Sequence, residues 1–258
     1  MESPVQAKGP SIKSASELDA MRKAGQVVAR MIAAVKQAVE PGVTTKQLDA
    51  VAAKELKRQG AKPAFLGYMG FPATICTSVN EQIVHGIPGD RVLKEGDLLK
   101  IDVGAVVDGL YGDSAMTLPV GKVSEEAMRL IETTKNSLDA AIEVVKSGNR
   151  LGDIGAAVQE YAESRGYGVV REYVGHGIGR NLHEEPQIPN YGVAGRGALL
   201  HAGMAIAIEP MVNVGTWRTE ALEDGWTVVT ADGKLSAHFE HTMAIGEYGA
   251  EVLTLLKD

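Results

Sequence analysis

The stretch Leu98–Thr117, LLKIDVGAVVDGLYGDSAMT, decides how the rest of the chain is read. Leu98 to Val106 is apolar and β-branched, Asp108-Gly109 is a two-residue turn signal and Leu110 to Thr117 returns, so the stretch predicts a β-hairpin. If Asp108 and Gly109 form the turn, Val107 faces Leu110 and Gly104 faces Asp113. Asp102 then shares a face with Asp113 as its diagonal neighbour, roughly 7 Å away at Cβ or less. Leu99, Ile101 and Val103 fill one face, while Gly104 and Ala105 leave room beside the acids. Two carboxylates this close need a cation, a shared proton or open water.

Outward from the hairpin, bulk properties narrow the function. With 45% apolar and 23% charged residues, the 258-residue chain has the make-up of an ordinary globular protein. Its net charge of −7 argues against a sequence-independent grip on nucleic acid, which needs clustered Lys and Arg. The single cysteine, Cys76, excludes an internal disulfide framework and a Cys-rich zinc module, and fits a reducing cytoplasm. No run of about 18 apolar residues suggests a membrane span, and the first residues lack the apolar segment of an export signal.

Residues 1–13 read as a flexible tail, broken by Pro4 and Pro10, and residues 14–258 as a single domain without a linker. Ser14 with Glu17 makes a capping box ahead of apolar residues at helical spacing from Leu18 to Val39, and Pro41-Gly42 stops that helix. Thr44 with Gln47 caps a second helix that ends at Gly60. Ala73 to Val79 is a strand candidate, and Ser124–Lys146 and Leu151–Arg165 form a second helix pair. Gly42 and Gly148, Leu48 and Ile154, and Gly60 and Gly166 all share one offset of 106 positions, which points to a duplicated helix-helix-strand unit. The alternative is chance, since glycine commonly ends helices. The same offset carries Asp102 to Ile208, next to Glu209, so a pseudo-two-fold site between the halves is expected.

The second half supplies further polar groups. GHGIG sets His176 between glycines, which let backbone approach a ligand closely, and His183 follows seven residues later. MAIAIEPMV reads as one strand carrying Glu209, and GWTVVTADGKLSAHFEHTMAI as a hairpin whose return strand puts His238, Glu240 and Thr242 on one face. Asp102, Asp113, His176, Glu209 and Glu240 together offer four oxygen ligands and one nitrogen. That donor set suits hard or borderline divalent cations, and four carboxylates balance the charge of two of them. Such a pair activates a bridging water for attack on a carbonyl or phosphoryl centre.

Singly, each residue has a plainer reading. Glu209 could be a solvated strand end, Glu240 the exposed face of an edge strand and His176 a turn residue. The glycine spacing is not a dinucleotide fingerprint, and Gln187 breaks any HExxH motif. His85, His201, His238 and His241, taken alone, read as satisfied turn histidines.

In order along the chain, NEQIVHGIPG, KIDVGAVVDGLYGDSAMT, GHGIGRNLHEEPQIPN, MAIAIEPMV and GWTVVTADGKLSAHFEHT resemble the type I methionine aminopeptidases of the pita-bread fold, shared with prolidase and creatinase. The resemblance implies an α+β architecture, with pseudo-two-fold duplicated halves around a curved, mostly antiparallel sheet. It implies two divalent metal ions, of Fe, Mn, Co or Zn, held by Asp102, Asp113, His176, Glu209 and Glu240. Asp113 and Glu240 would bridge them, Asp102 completing one site and His176 with Glu209 the other. Catalytic roles fall by the same resemblance to Glu209, which handles the proton of the attacking hydroxide, and to His183, which stabilises the tetrahedral intermediate. His85 would contact the backbone at the scissile amide, and the substrate amine would sit near Asp102. Tyr68, Phe71, Cys76, Leu182 and Trp226 would line the methionine pocket. Leu182 stands where relatives commonly have Phe, and Phe71 where Tyr is frequent; both changes keep an apolar wall.

The expected protein is therefore a monomeric, cytoplasmic aminopeptidase acting on the N-termini of nascent polypeptides. It removes the initiator methionine, with preference for a small second residue. The short, Cys-free N-terminal stretch does not match the zinc-binding extension of some relatives, so any ribosome contact would use the catalytic domain. No membrane or nucleic-acid partner is expected. A prolidase-like Xaa-Pro peptidase and a metal-free pita-bread binding protein are the alternatives.

Overall fold

A computed structural model describes residues 9–257. Of the tail expected over residues 1–13, residues 1–8 lie outside the described residues. Lys13 is buried, and its backbone N–H donates to the Gly203 carbonyl at 2.8 Å.

The first half runs α1 (Ala15–Ala38), α2 (Thr45–Arg58), β1 (Lys62–Pro63), β2 (Ile75–Val79), β3 (Gln82–Val84), β4 (Leu98–Val107) and β5 (Leu110–Pro119). The second runs α3 (Glu125–Glu143), α4 (Leu151–Glu163), β6 (Gly168–Val169), β7 (Gly175–Gly177), β8 (Glu184–Ile188), β9 (Ala205–Ile208), β10 (Met211–Asn213), β11 (Thr219–Ala221), β12 (Val228–Thr230), β13 (Ser236–His238), β14 (His241–Ile245) and β15 (Ala250–Val252).

Local chemistry accounts for the helix ends. Ser14 with Glu17 and Thr44 with Gln47 form the capping boxes read from the sequence, each satisfying backbone donors at a helix N-terminus. On α1, Met21, Ala24, Val28, Met31 and Val35 form the buried stripe. The helix expected to reach Lys146 stops at Glu143, where the Asn149 side chain donates to the Val144 carbonyl at 2.7 Å and occupies one of the free acceptors of the last turn.

The duplication is visible in the backbone. Gly42 and Gly148 have φ of +99° and +91°, and Gly60 and Gly166 have +67° and +83°, so each pair occupies the same left-handed position after or before a helix. Leu48 and Ile154 are both fully buried. Isolated bridges Thr44 to Val92 and Arg150 to Leu199 stand at matching places in the two halves. Each helix pair covers its own apolar core, one around Val28, Met31 and Leu48, the other around Leu130, Ile154 and Val158.

The hairpin of β4 and β5 has the expected register: Val107 pairs with Leu110, Gly104 with Asp113 and Asp102 with Ala115. Asp108 and Gly109 have φ of +51° and +79°, the left-handed pair that a two-residue turn matching strand twist requires. Gly104 does not leave room beside the acids, however. A Cβ there would press on Ala64 Cβ and the Phe65 ring, each at 2.7 Å, so the loop after β1 already fills that space.

Among the described residues all strand pairings are antiparallel and make four sheets: β1-β4-β2 with β5 on β4, β13-β10-β6, β11-β12-β3, and β15-β14-β9-β7-β8. Two stretches depart from the strands expected of them. MAIAIEPMV is not one strand; it breaks at Glu209-Pro210 into β9 and β10, which belong to different sheets, because Pro210 has no N–H to continue a ladder. The stretch 225–245 is not a hairpin, since β12 pairs with β3 and β11, β13 with β10, and β14 with β9 and β15.

Candidate metal centre

The site lies where the hairpin of the first half meets the broken strands of the second. Glu240 exchanges backbone hydrogen bonds with Ala115 of β5, its N–H donating at 2.9 Å. Thr242 Oγ1 donates to the Asp113 carbonyl at 2.7 Å and accepts the Asp113 N–H at 2.9 Å, and the Ser114 hydroxyl donates to the Glu240 carbonyl at 2.6 Å. The seam thereby presents Asp102 and Asp113 from one half to Glu209 and Glu240 from the other.

His176 completes the cluster. One ligand atom each from Asp113, His176 and Glu240 falls within a 4.8 Å set, and His176 Nε2 lies 3.9 Å from both Asp113 Oδ2 and Glu209 Oε1. His176 Nδ1 lies 2.9 Å from the Gly177 carbonyl, a contact only a protonated Nδ1 can use, so Nε2 directs a lone pair at the carboxylates. Packing also requires the glycines beside His176. A Cβ at Gly175 would collide with the Ala207 carbonyl oxygen of β9, and one at Gly177 with the Glu185 carbonyl oxygen of β8.

Electrostatics shows what the cluster lacks. Burial raises Asp102 to about 6 and Glu209 to about 8. Burial and then neighbouring carboxylates hold Asp113 and Glu240 well above the usual carboxylate range. Burial also depresses His85, His176 and His238 to about 4, so these imidazoles are neutral and cannot balance the carboxylates. Among the described residues, Asp102 Oδ1, Asp113 Oδ1 and Glu240 Oε1 are buried without a hydrogen-bond partner. Buried, unpartnered carboxyl oxygens facing an imidazole lone pair are the donor set of a divalent cation, and these residues fit one.

The adjoining cavity has a volume of about 180 Å³. All twelve residues singled out from the sequence line it: the five of the cluster, His85 and His183, and Tyr68, Phe71, Cys76, Leu182 and Trp226. Phe71 packs edge-on against Trp226 at 5.0 Å between centroids, closing the apolar end. Cys76 sits opposite Asp102 in the β2–β4 ladder; burial and then the Asp102 charge push its thiol up, away from nucleophilic use. His85, at φ +61°, sits edge-on to Tyr173 at 5.8 Å and Trp226 at 6.5 Å. The His183 ring lies 4.3 Å from that of His176, and the Tyr68 hydroxyl is 2.7 Å from its Nδ1.

Three lining or neighbouring residues escaped the sequence reading. Phe65 and Met69 also line the cavity, from the aromatic-rich loop that supplies Tyr68 and Phe71. His238 is not a satisfied turn histidine: it ends β13, is fully buried, neither ring nitrogen has a partner among the described residues, and Nε2 lies 3.6 Å from Glu209 Oε2. Its place two residues before Glu240 on the same strand face was the available signal. His241 is satisfied, with Nδ1 2.9 Å from Thr254 Oγ1, but begins strand β14 and is not in a turn, and His201 is exposed.

The family model for metallopeptidase family M24 matches residues 19–247. A methionine aminopeptidase of Clostridium perfringens is 51% identical over 95% of this chain and 99% of its own. Methionine aminopeptidase 1 of Bacillus subtilis is 52% identical over 94% and 98%. The crystal structure of methionine aminopeptidase from Thermotoga maritima superposes with a TM-score of 0.94 at 49% identity, covering 95% of this chain and 99% of that one.

Proposed function

We propose that this chain, which belongs to metallopeptidase family M24 and is about half identical over nearly its whole length to bacterial methionine aminopeptidases, removes the N-terminal methionine from nascent proteins. The observation that carries this reading is the meeting of an unpartnered carboxylate-imidazole cluster with a small cavity whose far end is apolar. Tyr68, Phe71, Cys76, Leu182 and Trp226 suit an unbranched thioether side chain.

Asp102, Asp113, His176, Glu209 and Glu240 would hold two divalent ions, drawn from Fe, Mn, Co and Zn, one cation charge for each carboxylate. Bound there, such ions supply Lewis acidity that activates water and stabilises charge developing on a carbonyl oxygen. The remaining work falls to the chain itself. Glu209 carries the proton from the attacking water to the departing amine nitrogen. With the Tyr68 hydroxyl donating to Nδ1, His183 keeps its proton on Nε2 and donates it as a hydrogen bond to the oxyanion. His85 binds the substrate backbone beside the scissile amide, and Asp102 receives the free amine.

Because every site residue comes from one chain, a monomer suffices. Nascent chains as substrates imply a cytoplasmic location and a ribosome contact through the catalytic domain. The net charge of −7 disfavours direct nucleic-acid binding, and among the described residues no helix is long and apolar enough to cross a membrane.

The test is release of free methionine from Met-Ala-Ser and Met-Pro-Ser peptides by metal-stripped protein, with and without Mn²⁺ or Co²⁺. Metal-dependent release, lost in Glu209→Ala, is expected. Cleavage of a Gly-Pro dipeptide alone would move the assignment to an Xaa-Pro peptidase, and no cleavage with no metal bound would leave a binding protein.

A further inference from the structure

Beside the catalytic cavity, a larger groove of about 440 Å³ opens between residues 9–13 and the loop joining β7 to β8. At its floor is Lys13, whose side chain is only 3% exposed. Its ammonium donates to Glu184 Oε2 at 2.8 Å and to the Ser11 hydroxyl, and Ser11 Oγ donates to the same carboxylate oxygen at 2.6 Å. Charge-assisted hydrogen bonds of this kind, here made by a buried ammonium, are among the stronger polar contacts in a protein.

The other oxygen of Glu184 turns away from this strap. Glu184 Oε1 accepts the backbone N–H groups of Arg180 at 2.7 Å and Asn181 at 3.1 Å, closing the 178–183 loop on itself. Three further ties hold the same loop: the Arg180 guanidinium pairs with Glu17 Oε1 of α1 at 2.8 Å, the Tyr111 N–H donates to the Gly179 carbonyl at 2.8 Å, and the Ile178 N–H donates to the Ala205 carbonyl at 3.1 Å. A Cβ at Gly179 would collide with the Lys13 side chain, so lysine and loop are packed without a gap. What this loop delivers to the catalytic cavity is Leu182 and His183, and His183 immediately precedes Glu184.

We propose that Ser11, Lys13 and Glu184 are positioning residues for His183. The buried ammonium holds Glu184, Glu184 closes the loop through two amides, and the closed loop fixes the His183 imidazole beside His176. This rests on the aminopeptidase reading, in which His183 touches the reacting carbonyl. Because a displacement of about 1 Å in a hydrogen-bonding group costs on the order of a hundredfold in rate, such a device acts on turnover more than on substrate affinity.

The experiment is a double-mutant cycle on the metal-loaded enzyme with a Met-Ala-Ser peptide. Lys13→Met and Glu184→Gln are expected to lower kcat roughly ten- to a hundredfold while KM moves much less. Lys13→Arg is expected to recover much of the rate. In a His183→Ala background, Lys13→Met and Glu184→Gln are expected to have little further effect, because the group they position is gone. A merely structural role would instead lower activity by the same factor with or without His183. That additivity, or an unchanged kcat in both single variants, would overturn the proposal. If Lys13→Met does not fold, the Glu184→Gln cycle decides alone. A wild-type enzyme that released no methionine would overturn the aminopeptidase reading and this proposal with it, whereas an active wild type with additive variants would overturn the proposal only.

Discussion

Glu209 and Glu240 face each other at the one point where two antiparallel strands leave one sheet for another. Ile208 pairs with His241 on one side of the break and Met211 with His238 on the other, so the register runs through Glu209 opposite Glu240. Interrupting both strands there frees the two side chains to turn toward Asp102 and Asp113 instead of alternating across a sheet. The site is thus built at a defect in regular structure, held by Pro210 on one strand and by the Ala115–Glu240 backbone pair on the other.

The carboxylate cluster, with Asp113 and Glu240 buried and Asp102 and Glu209 half-buried, is expected to cost stability whenever no cation is bound. Glu240→Gln and Asp113→Asn should abolish activity and weaken metal binding, yet raise the melting temperature of chelator-treated protein by about 2–4 °C per ~1 kcal/mol of relieved repulsion. Melting curves with and without chelator check this. Metal-free variants less stable than metal-free wild type would count against a repulsive cluster.

Tyr68 combines two functions that one substitution separates. Tyr68→Phe keeps the ring in the apolar wall but removes the hydroxyl at His183 Nδ1. We expect kcat to fall about tenfold, the cost of one hydrogen bond of ~1.4 kcal/mol, with KM for a methionyl peptide nearly unchanged. A raised KM with normal kcat would assign the hydroxyl to binding instead.

Gly177 has no room for a side chain. In Gly177→Ala the new Cβ meets the Glu185 carbonyl oxygen, so β7 must move away from β8 and carry His176 with it. The expected loss is roughly 1–3 kcal/mol of stability together with weaker metal affinity, measured by denaturant unfolding and metal titration.

Glu184 makes the strap acid-sensitive. Burial alone would raise its pKa, but the hydrogen bonds from Lys13, Ser11 and Asn181 outweigh this and hold it below its ordinary value of 4.5. A carboxylate depressed on folding contributes stability that is present above its unfolded pKa and lost as pH falls through the folded one. Melting temperature should therefore drop below about pH 4.5 more steeply in wild type than in Glu184→Gln. Parallel acid limbs would show that the carboxylate contributes nothing there.

What the sequence determined by itself is what short-range chemistry decides. The Asp108-Gly109 turn set the parity that puts Asp102 and Asp113 on one face, the two capping boxes set where α1 and α2 begin, and repeated glycines disclosed the duplicated halves. The residues proposed as ligands and pocket lining came from ordered motifs, and all of them line one cavity. Tertiary structure alone decided the rest. Alternation along a strand cannot reveal that Glu209 and Glu240 meet at a shared break, that His238 points at Glu209 without a partner, or that Lys13 is buried under the His183 loop. Each of these depends on contacts between residues far apart in the chain. Local periodicity carries no information about such pairing, because the free energy that selects it comes from packing the two halves together.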